Sequence, residues 1–566
     1  MMQDLIIRNV NLFDGSGSES INGTDVAVKD GKITQVGRAL GLDAAEVIDG
    51  TGKSLMPGII DTHTHYDAQI TWDPTVTPSS AHGVTTVLIG NCGFTIAPSK
   101  PADRELLMKN LTQVEGMSLD VLREGINWDF ESFEEYLAMI ERQGVAVNVG
   151  AFIGHSALRN YVLGDDASKR VATPAEVEAM AHLIRNGMKA GAIGFATSYS
   201  PQHNGWGGIP MPSRIADEFE FTELVKAMGE AGKGVFMITK GGIANVAFLE
   251  KVAAEAGCPM MIAAILHNST LPDLALSDLN EIKAARARGI ELYGQVACTP
   301  ITYDFTLAGA YPFEGIQAWN PAMKLQGEEL KMLLASNEFR NAVKNEIENP
   351  PAGIRRLFNG DWHKIEVLMT TQEQHRKYDQ RNVGELAAAE GKHPLDFLLD
   401  LGLAENLATE FTAMLLNSDE DEIQKLLVHD AASVALSDAG AHLTFICDAG
   451  FGLHLMGHWT RDKGIMTLPQ AVHELTAKPA RIFRIPKRGL IAEGYFADLL
   501  LFDPATVGRS ARYKVHDLPG GNSRLHTDPL GVFGVWVNGK KISDGKGQAN
   551  GDHKAGMVIR DFEHWS

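Results

Sequence analysis

The 566-residue chain has few cysteines, no long apolar run and no excess of basic side chains. No stretch approaches the ~18 consecutive apolar residues that a membrane-spanning helix needs, so we expect no membrane partner. Its four cysteines, Cys92, Cys258, Cys298 and Cys447, are too sparse for a disulfide framework. The first residues lack the basic and apolar regions of a signal peptide, and a cytoplasmic location is therefore the expectation.

Basic residues are outnumbered, because 51 Lys and Arg face 71 Asp and Glu and give a net charge of −20. A chain this acidic would repel a phosphate backbone, and no cluster of Lys or Arg offers a local exception, so nucleic acid is excluded as a partner. The 44% hydrophobic and 22% charged composition also excludes a disordered chain. These absences leave a globular protein with enough apolar material for a large core.

Both ends of the chain show the alternating apolar and polar pattern of β-strands. Alternating runs at 5–13, 25–28 and 32–36 are joined by turns, among them Asp30-Gly31, which is a hairpin signal. Runs at 496–503 and 534–542 look alike, with a second hairpin signal at Asn538-Gly539. We therefore predict that residues 1–57 and 485–566 form the two parts of one small β-sandwich domain.

The middle of the chain, residues 58–484, alternates short apolar runs with amphipathic helical stretches. Runs of this kind predict parallel strands that are buried on both faces. They lie at 58–61, 84–90, 145–153, 192–195, 234–238, 260–266, 290–296 and 433–437. Eight such strands alternating with helices predict an α/β fold, a (β/α)₈ TIM barrel.

A long insertion separates the seventh and eighth predicted strands. Residues 299–424 include stretches with helical periodicity at 327–347 and 383–401. Connections in compact domains are usually a few residues long, so an insertion of this length is typical of a lid or a specificity element. A structural embellishment without a role in the reaction is the alternative.

The first barrel strand ends in Asp61-Thr62-His63-Thr64-His65. Residues two apart in a strand face the same side, so both imidazoles are expected to point into the mouth of the barrel. Two converging neutral imidazoles suit a divalent transition metal. Two hydrogen-bonded core histidines are the alternative, and they would need compensation for burying an inward polar pair.

Further candidates follow other predicted strands at the end where barrel enzymes place their catalytic groups. Cys92 follows the second strand, His155 the third, His267 the sixth and Asp438 the eighth. Each one alone is weak evidence, and a single cysteine is more often a buried apolar residue. Their coincidence at one end of one barrel predicts a metal-dependent active site.

The chain resembles the amidohydrolase superfamily and, within it, the N-acyl-D-amino-acid deacylases (D-aminoacylases). The resemblance rests on residues 56–67, 83–87, 90–94, 154–159 and 437–440, and on the tail segments 488–499 and 537–539. It covers nearly the whole chain. A cysteine after the second strand is the mark of the deacylase branch, and family members pair both chain ends into a β-sandwich beside the barrel.

The resemblance implies a role for each matching residue. It places metal ligands at His63, His65, Cys92 and His267, with Asp438 as both ligand and catalytic acid/base. Zn²⁺ is the implied cofactor, with other divalent metals open. Tyr199 lies where the family's tyrosine contacts the tetrahedral intermediate, and Tyr199 or His155 would stabilise the oxyanion. The residues predicted to meet substrate are Tyr199, Arg159 and Ser269.

Two departures from the family pattern bear on metal count and substrate. Lys240 stands at or near the position of the histidine ligand that follows strand five, and a protonated lysine has no lone pair for a cation. The second metal is lost, or Lys240 binds it in a neutral or carboxylated form, or Lys240 contacts substrate; the sequence favours loss and one metal ion. After His267, Asn268-Ser269 replaces the His-Lys pair that deacylases often carry, which leaves the substrate open.

These observations predict hydrolysis of a linear amide C–N bond in a small molecule, most readily an N-acyl (D-)amino acid. Asp438 would accept a proton from the attacking water and return it to the leaving nitrogen. Two alternatives stay open: a cyclic amidase of the hydantoinase or dihydroorotase kind, and a degenerate scaffold without catalysis. Strand four offers no lysine for the carboxylated bridge of the cyclic amidases, and retention of five candidate metal-site residues argues against a scaffold. Assembly into a homo-oligomer is left open.

Overall fold

The computed structural model describes residues 2–313, 315–351, 356–440, 448–546 and 554–565. Its strands, in chain order, are β1 (Gln3–Leu12), β2 (Ile21–Lys29), β3 (Lys32–Gly37), β4 (Ala44–Asp49), β5 (Ser54–Pro57), β6 (Ile59–Asp61), β7 (Val84–Ile89), β8 (Asn148–Gly154), β9 (Gly194–Ser198), β10 (Val235–Thr239), β11 (Met260–Ile265), β12 (Leu292–Val296), β13 (Ile301–Phe305), β14 (Ile365–Met369), β15 (Arg381–Asn382), β16 (Glu410–Leu416), β17 (Ala432–Val434), β18 (Leu499–Phe502), β19 (Gly508–Arg509), β20 (Tyr513–Val515), β21 (Arg524–His526), β22 (Pro529–Leu530), β23 (Val532–Val537) and β24 (Lys540–Ser543).

The α-helices follow the strands in the order expected of an α/β chain. They are α1 (Arg104–Glu115), α2 (Leu119–Gly125), α3 (Phe133–Gln143), α4 (His155–Leu163), α5 (Pro174–Ala190), α6 (Glu218–Gly229), α7 (Val246–Ala256), α8 (Leu274–Ala287), α9 (Gly327–Ala335), α10 (Asn337–Glu348), α11 (Val383–Ala389), α12 (Pro394–Ala404), α13 (Glu420–Leu427), α14 (Phe451–His454), α15 (Leu468–Leu475) and α16 (Ala477–Ile482). A π-helix spans Leu455–Asp462. Within the described residues, no helix combines the length and apolar composition needed to cross a membrane.

Eight parallel strands form the central sheet in the order β17-β12-β11-β10-β9-β8-β7-β6. A parallel bridge between Thr64 and Ala439 joins the two outer strands just beyond their ends. Every residue of β7 and β8 is buried, as expected for strands covered on both faces. Each of the eight predicted apolar runs overlaps one of these strands, and the predicted barrel is confirmed.

A second sheet combines strands from both ends of the chain, in the order β24-β23-β18-β5-β1-β2-β3 with β4 paired to β1. The hairpin between β2 and β3 turns at Asp30 and Gly31, whose φ angles are 49° and 76°. Asn538 and Gly539 turn β23 into β24 in the same left-handed region. Strand β18 pairs with β5, which joins the two ends of the chain as predicted.

The chain divides into two compact units by its internal contacts. The first comprises Met1–Ile265, Ser277–Cys298 and Gln424–Ser566, and the second comprises Leu266–Leu276 and Thr299–Ile423. The predicted domain boundaries at residues 57 and 484 stay predictions.

The second unit contains a four-stranded antiparallel sheet in the order β13-β16-β14-β15, which the sequence analysis did not predict. The predicted helical stretch 327–347 is two helices, α9 and α10, because Ser336 ends the first and caps the second by accepting the Phe339 N–H. The stretch 383–401 is likewise divided: Gly391 has a φ of 63° and Pro394 begins α12.

Candidate metal centre

Three predicted ligands lie together where the first two barrel strands end. One ligand atom from each of His63, His65 and Cys92 lies within 4.8 Å of the other two, and all three residues are buried. The distance from the His63 Nε2 atom to the Cys92 Sγ atom is 3.5 Å. Two imidazole nitrogens and one sulfur form the donor set that Zn²⁺ prefers, so these residues fit a zinc ion.

Asp438 follows β17, the last strand of the barrel sheet, and faces the same cluster. Its Oδ1 atom lies 3.4 Å from His63 Nε2 and 3.6 Å from His65 Nε2. The Asp438 N–H donates to the His63 carbonyl oxygen at 3.2 Å, which ties β6 to the segment that follows β17. The Asp438 side chain is 16% exposed, so the carboxylate borders the cluster and still reaches the mouth of the barrel.

A tight turn of unusual conformation presents Cys92. Gly90, Cys92 and Gly93 all have positive φ angles, of 87°, 57° and 75°. A Cβ atom on Gly90 would come within 2.7 Å of the Phe152 carbonyl oxygen, and one on Gly93 within 2.6 Å of the Ala196 carbonyl oxygen. The turn therefore requires glycine at both positions, and this close approach to β8 and β9 directs the Cys92 thiol toward the histidines.

The cluster is electrostatically suited to a cation. Burial opposes ionisation of Cys92, yet the adjacent His63 and His65 outweigh it and lower the thiol pKa to about 6. Burial also opposes a charged His65, but Glu115, Asp438 and Cys92 raise its pKa well above the ordinary value. The site thus stabilises positive charge next to a sulfur that ionises readily, which are the conditions that a divalent metal ion exploits.

Comparison with known proteins agrees with this geometry. A family model described as the amidohydrolase family matches residues 46–315 and 353–542, well over half of the chain. The chain belongs to the amidohydrolase family. Its curated relatives include a D-aminoacylase from Alcaligenes xylosoxydans xylosoxydans, which is 28% identical over 95% of this chain and 94% of that protein.

Two further similarities extend over essentially the whole amidohydrolase chain. An N-acyl-D-aspartate deacylase from Alcaligenes xylosoxydans xylosoxydans is 26% identical over 98% of this chain and 95% of its own. A crystal structure of N-acyl-D-glutamate deacylase from Bordetella bronchiseptica, complexed with zinc and a phosphonate inhibitor, covers 99% of this chain and 100% of its own, with a TM-score of 0.67 and 23% identity. The latter shows a shared fold.

Three other predicted site residues of this amidohydrolase, His155, Arg159 and Tyr199, are buried and make polar contacts within the protein. The two ring nitrogens of His155 contact Thr197 Oγ1 and Glu220 Oε1, each at 2.8 Å. Arg159 forms an ion pair with Glu220 and donates to the carbonyl oxygens of Ala167 and Arg170. The Tyr199 hydroxyl donates to the Ala216 carbonyl oxygen at 3.1 Å. Protein contacts thus engage these polar groups, and their predicted catalytic and substrate roles stay predictions.

Burial and charged contacts together set the protonation of His155 and Glu220. Desolvation lowers the pKa of His155 below its ordinary value despite the adjacent Glu220 carboxylate. Burial works against the charge of Glu220, but its contacts to His155 and Arg159 outweigh burial and lower the Glu220 pKa. A neutral His155 that donates a hydrogen bond to an ionised Glu220 agrees with the lowered pKa of each residue.

The remaining predicted ligand, His267, belongs to the second compact unit. There the backbone N–H of His267 donates to Asn417 Oδ1, and the backbone carbonyl oxygen of His267 accepts from the backbone N–H of Asn417 at 2.8 Å. Ser269, in the same unit, is exposed and accepts a hydrogen bond from Asn359 Nδ2 at 2.7 Å. The metal role predicted for His267 and the substrate role predicted for Ser269 stay predictions.

Two residues that the sequence analysis missed contact the outer nitrogens of the histidine pair. Gln295 Oε1 lies 2.6 Å from His63 Nδ1, and Glu115 Oε1 lies 3.2 Å from His65 Nδ1. A glutamine within the apolar run that becomes β12 is a sequence signal that identifies the first. Nothing local identifies Glu115, because it is the last residue of an ordinary amphipathic helix and only the fold brings it to His65.

Proposed function

We propose that this amidohydrolase hydrolyses the linear amide bond of an N-acyl amino acid, with a preference for the D enantiomer. The observation that carries the proposal is the convergence of His63 Nε2, His65 Nε2, Cys92 Sγ and Asp438 Oδ1 at the mouth of the barrel. The named relatives that act on N-acyl-D-amino acids support the substrate class.

His63, His65 and Cys92 would hold one Zn²⁺ ion, with Asp438 beside it. Such an ion would lower the pKa of a bound water from ~15.7 to about 7 and would polarise the amide carbonyl. His267 stays the further ligand that the family resemblance implies. Lys240 supplies no second site in this proposal, because its ammonium forms an ion pair with Asp278.

In this proposal Asp438 moves the proton. Its carboxylate takes the proton from the attacking water as the water adds to the carbonyl carbon. It then delivers that proton to the leaving nitrogen, so that a neutral amine departs and the carboxylate is regenerated. The partial exposure of Asp438 allows a substrate amide to reach it from the mouth of the barrel.

The decisive experiment combines a substrate panel with one substitution. Purified protein of measured zinc content is assayed against N-acyl amino acids of both hands and against cyclic amides such as hydantoins. We expect turnover of the linear D compounds, and we expect Asp438→Asn to abolish turnover while leaving the zinc content intact. Asp462→Asn, an exposed carboxylate substitution, is the matched control.

Each other outcome has a definite meaning. Turnover of cyclic amides alone would replace the proposal with a cyclic amidase. A protein that binds no zinc and turns over no compound of the panel would be a scaffold. Full activity of Asp438→Asn would contradict the role given to Asp438.

A further inference from the structure

The side chain behind His63 is a buried amide in a defined orientation. Gln295, on β12, is completely buried, and its Oε1 atom lies 2.6 Å from His63 Nδ1. Its Nε2 atom donates to Thr62 Oγ1 at 3.0 Å. The hydrogen bond to Thr62 turns the amide nitrogen away from His63 and leaves the amide oxygen facing the ring.

An amide oxygen only accepts hydrogen bonds, so the His63 nitrogen that faces it must carry the proton. His63 is therefore held with Nδ1 protonated and with the lone pair on Nε2. That Nε2 atom is the one that lies 3.5 Å from Cys92 Sγ and 3.4 Å from Asp438 Oδ1. Gln295 thus prepares His63 to bind a metal through Nε2 before any ion arrives.

The residue behind His65 is a buried carboxylate. Glu115, the last residue of α1, is 2% exposed, and its Oε1 atom lies 3.2 Å from His65 Nδ1. His65 Nε2 points the other way, toward Asp438 Oδ1 at 3.6 Å. A carboxylate behind one ring nitrogen favours a proton on that nitrogen and strengthens the opposite nitrogen as a metal donor.

We propose that Gln295 and Glu115 are positioning residues that fix the tautomer and orientation of His63 and His65 for metal binding. The inference rests on the proposed function, because it concerns the same metal centre. It adds an asymmetry: the side-chain amide of Gln295 lies behind His63, whereas the carboxyl group of Glu115 lies behind His65. Loss of either partner frees an imidazole to rotate or to protonate on Nε2, and metal affinity falls.

Zinc affinity, measured by competition with a chromophoric chelator, tests the proposal without any assay of turnover. We expect Gln295→Leu and Glu115→Leu each to weaken zinc binding by about 10- to 100-fold. Glu115→Gln keeps an oxygen that can accept a hydrogen bond from His65 Nδ1, so it should weaken zinc binding less than Glu115→Leu does. Glu105→Leu, which removes an exposed carboxylate from the same helix, is the control and should bind zinc as the wild type does.

A second readout distinguishes positioning from general damage to the fold. The visible spectrum of the Co²⁺-substituted protein reports ligand geometry, and we expect it to change in both leucine variants. The unfolding midpoint of each metal-free variant shows whether the fold survives. If a leucine variant does not fold, Glu115→Gln and Gln295→Met, which are close in size to the wild-type side chains, take its place. Gln295→Met has no amide oxygen to face His63 Nδ1, so it should weaken zinc binding as Gln295→Leu does.

The outcomes separate the two proposals. Folded leucine variants with wild-type zinc affinity and an unchanged cobalt spectrum would overturn the positioning role and leave the hydrolase proposal standing. A wild-type protein that binds no zinc would overturn both. Zinc binding that is weakened in the leucine variants but retained in Glu105→Leu would support the inference.

Discussion

Lys240, directly after β10, forms an ion pair with Asp278 of α8. The side chains of Lys240 and Asp278 are only 20% and 10% exposed, so the contact is largely shielded from water. An ammonium held by a carboxylate has three donors and no lone pair, and it cannot serve as a metal ligand. The ion pair therefore occupies the position at which the family resemblance implies a second-metal histidine.

We predict one zinc ion per chain, and we predict that Lys240→Met leaves this number unchanged. The reason is that the Lys240 ammonium is engaged with Asp278 and contributes nothing to the ion near Cys92. Elemental analysis of protein loaded with excess zinc and then desalted measures the stoichiometry. Two ions in the wild type that fall to one in Lys240→Met would show instead that Lys240 binds metal, as a carboxylated lysine would.

The second prediction concerns Cys92. Loss of a residue that hydrogen-bonds to a metal ligand lowers metal affinity by roughly 10- to 100-fold. We expect Cys92→Ser, which removes a proposed ligand itself, to lower zinc affinity by at least that much. The Cys92 thiol has its pKa lowered to about 6 and binds as a thiolate near neutral pH, whereas a serine hydroxyl stays protonated. The chelator competition assay makes the comparison.

Cys258→Ser is the matched control for this substitution. Cys258 is also buried, but burial raises its thiol pKa to about 12, and it lies outside the cluster. It should bind zinc with wild-type affinity. Equal zinc affinity in Cys92→Ser and Cys258→Ser would remove Cys92 from the metal centre. Cys447 lies outside the described residues.

The barrel could be predicted from sequence because its strands are continuous apolar runs, a signal that depends only on local composition. Strand β13 could not, since Thr302, Tyr303 and Asp304 interrupt its apolar pattern and it pairs with a strand more than a hundred residues later. The grouping of His63, His65 and Cys92 was predictable because each of them follows a barrel strand. Burial of Glu115 against His65 depends on the path of a whole helix, which no local pattern encodes.

The same reasoning explains the position of His155. It follows a barrel strand as the ligands do, and the sequence placed it with them. In the folded chain Glu220, on the helix that follows the next barrel strand, contacts one ring nitrogen, and Thr197 contacts the other. Position after a strand brings a residue to the correct end of the barrel, but only the rest of the fold decides which partner it meets.

The third prediction is that Glu220→Gln destabilises the protein by about 3–5 kcal/mol, because it leaves the charge of Arg159 buried without its partner. Arg159 and Glu220 are both fully buried. Urea unfolding followed by circular dichroism measures the change. Glu223→Gln, an exposed substitution on the same helix, should change stability by less than about 0.5 kcal/mol. A loss in Glu220→Gln no larger than in the control would contradict the importance of this pair.

The last prediction concerns the pH dependence of stability and follows from His155. Its folded-state pKa is lowered from the ordinary value of 6.5, so below that pH the unfolded chain takes up a proton that the folded protein refuses. The contribution of His155 to stability therefore falls as the pH drops below 6.5, by at most about 1.4 kcal/mol per pH unit. The pKa of Glu220 is lowered from 4.5, so Glu220 also reduces stability as the pH drops, but only below pH 4.5.

The substitution His155→Gln removes the contribution of His155 below pH 6.5 and leaves the contribution of Glu220 below pH 4.5. Urea unfolding at pH 7, 6 and 5 should therefore show a shallower loss of stability in His155→Gln than in the wild type, whatever the absolute stability of the variant. Parallel pH profiles for the two proteins would mean that His155 keeps an ordinary pKa in the folded state, and the lowering of its pKa by burial would then be wrong.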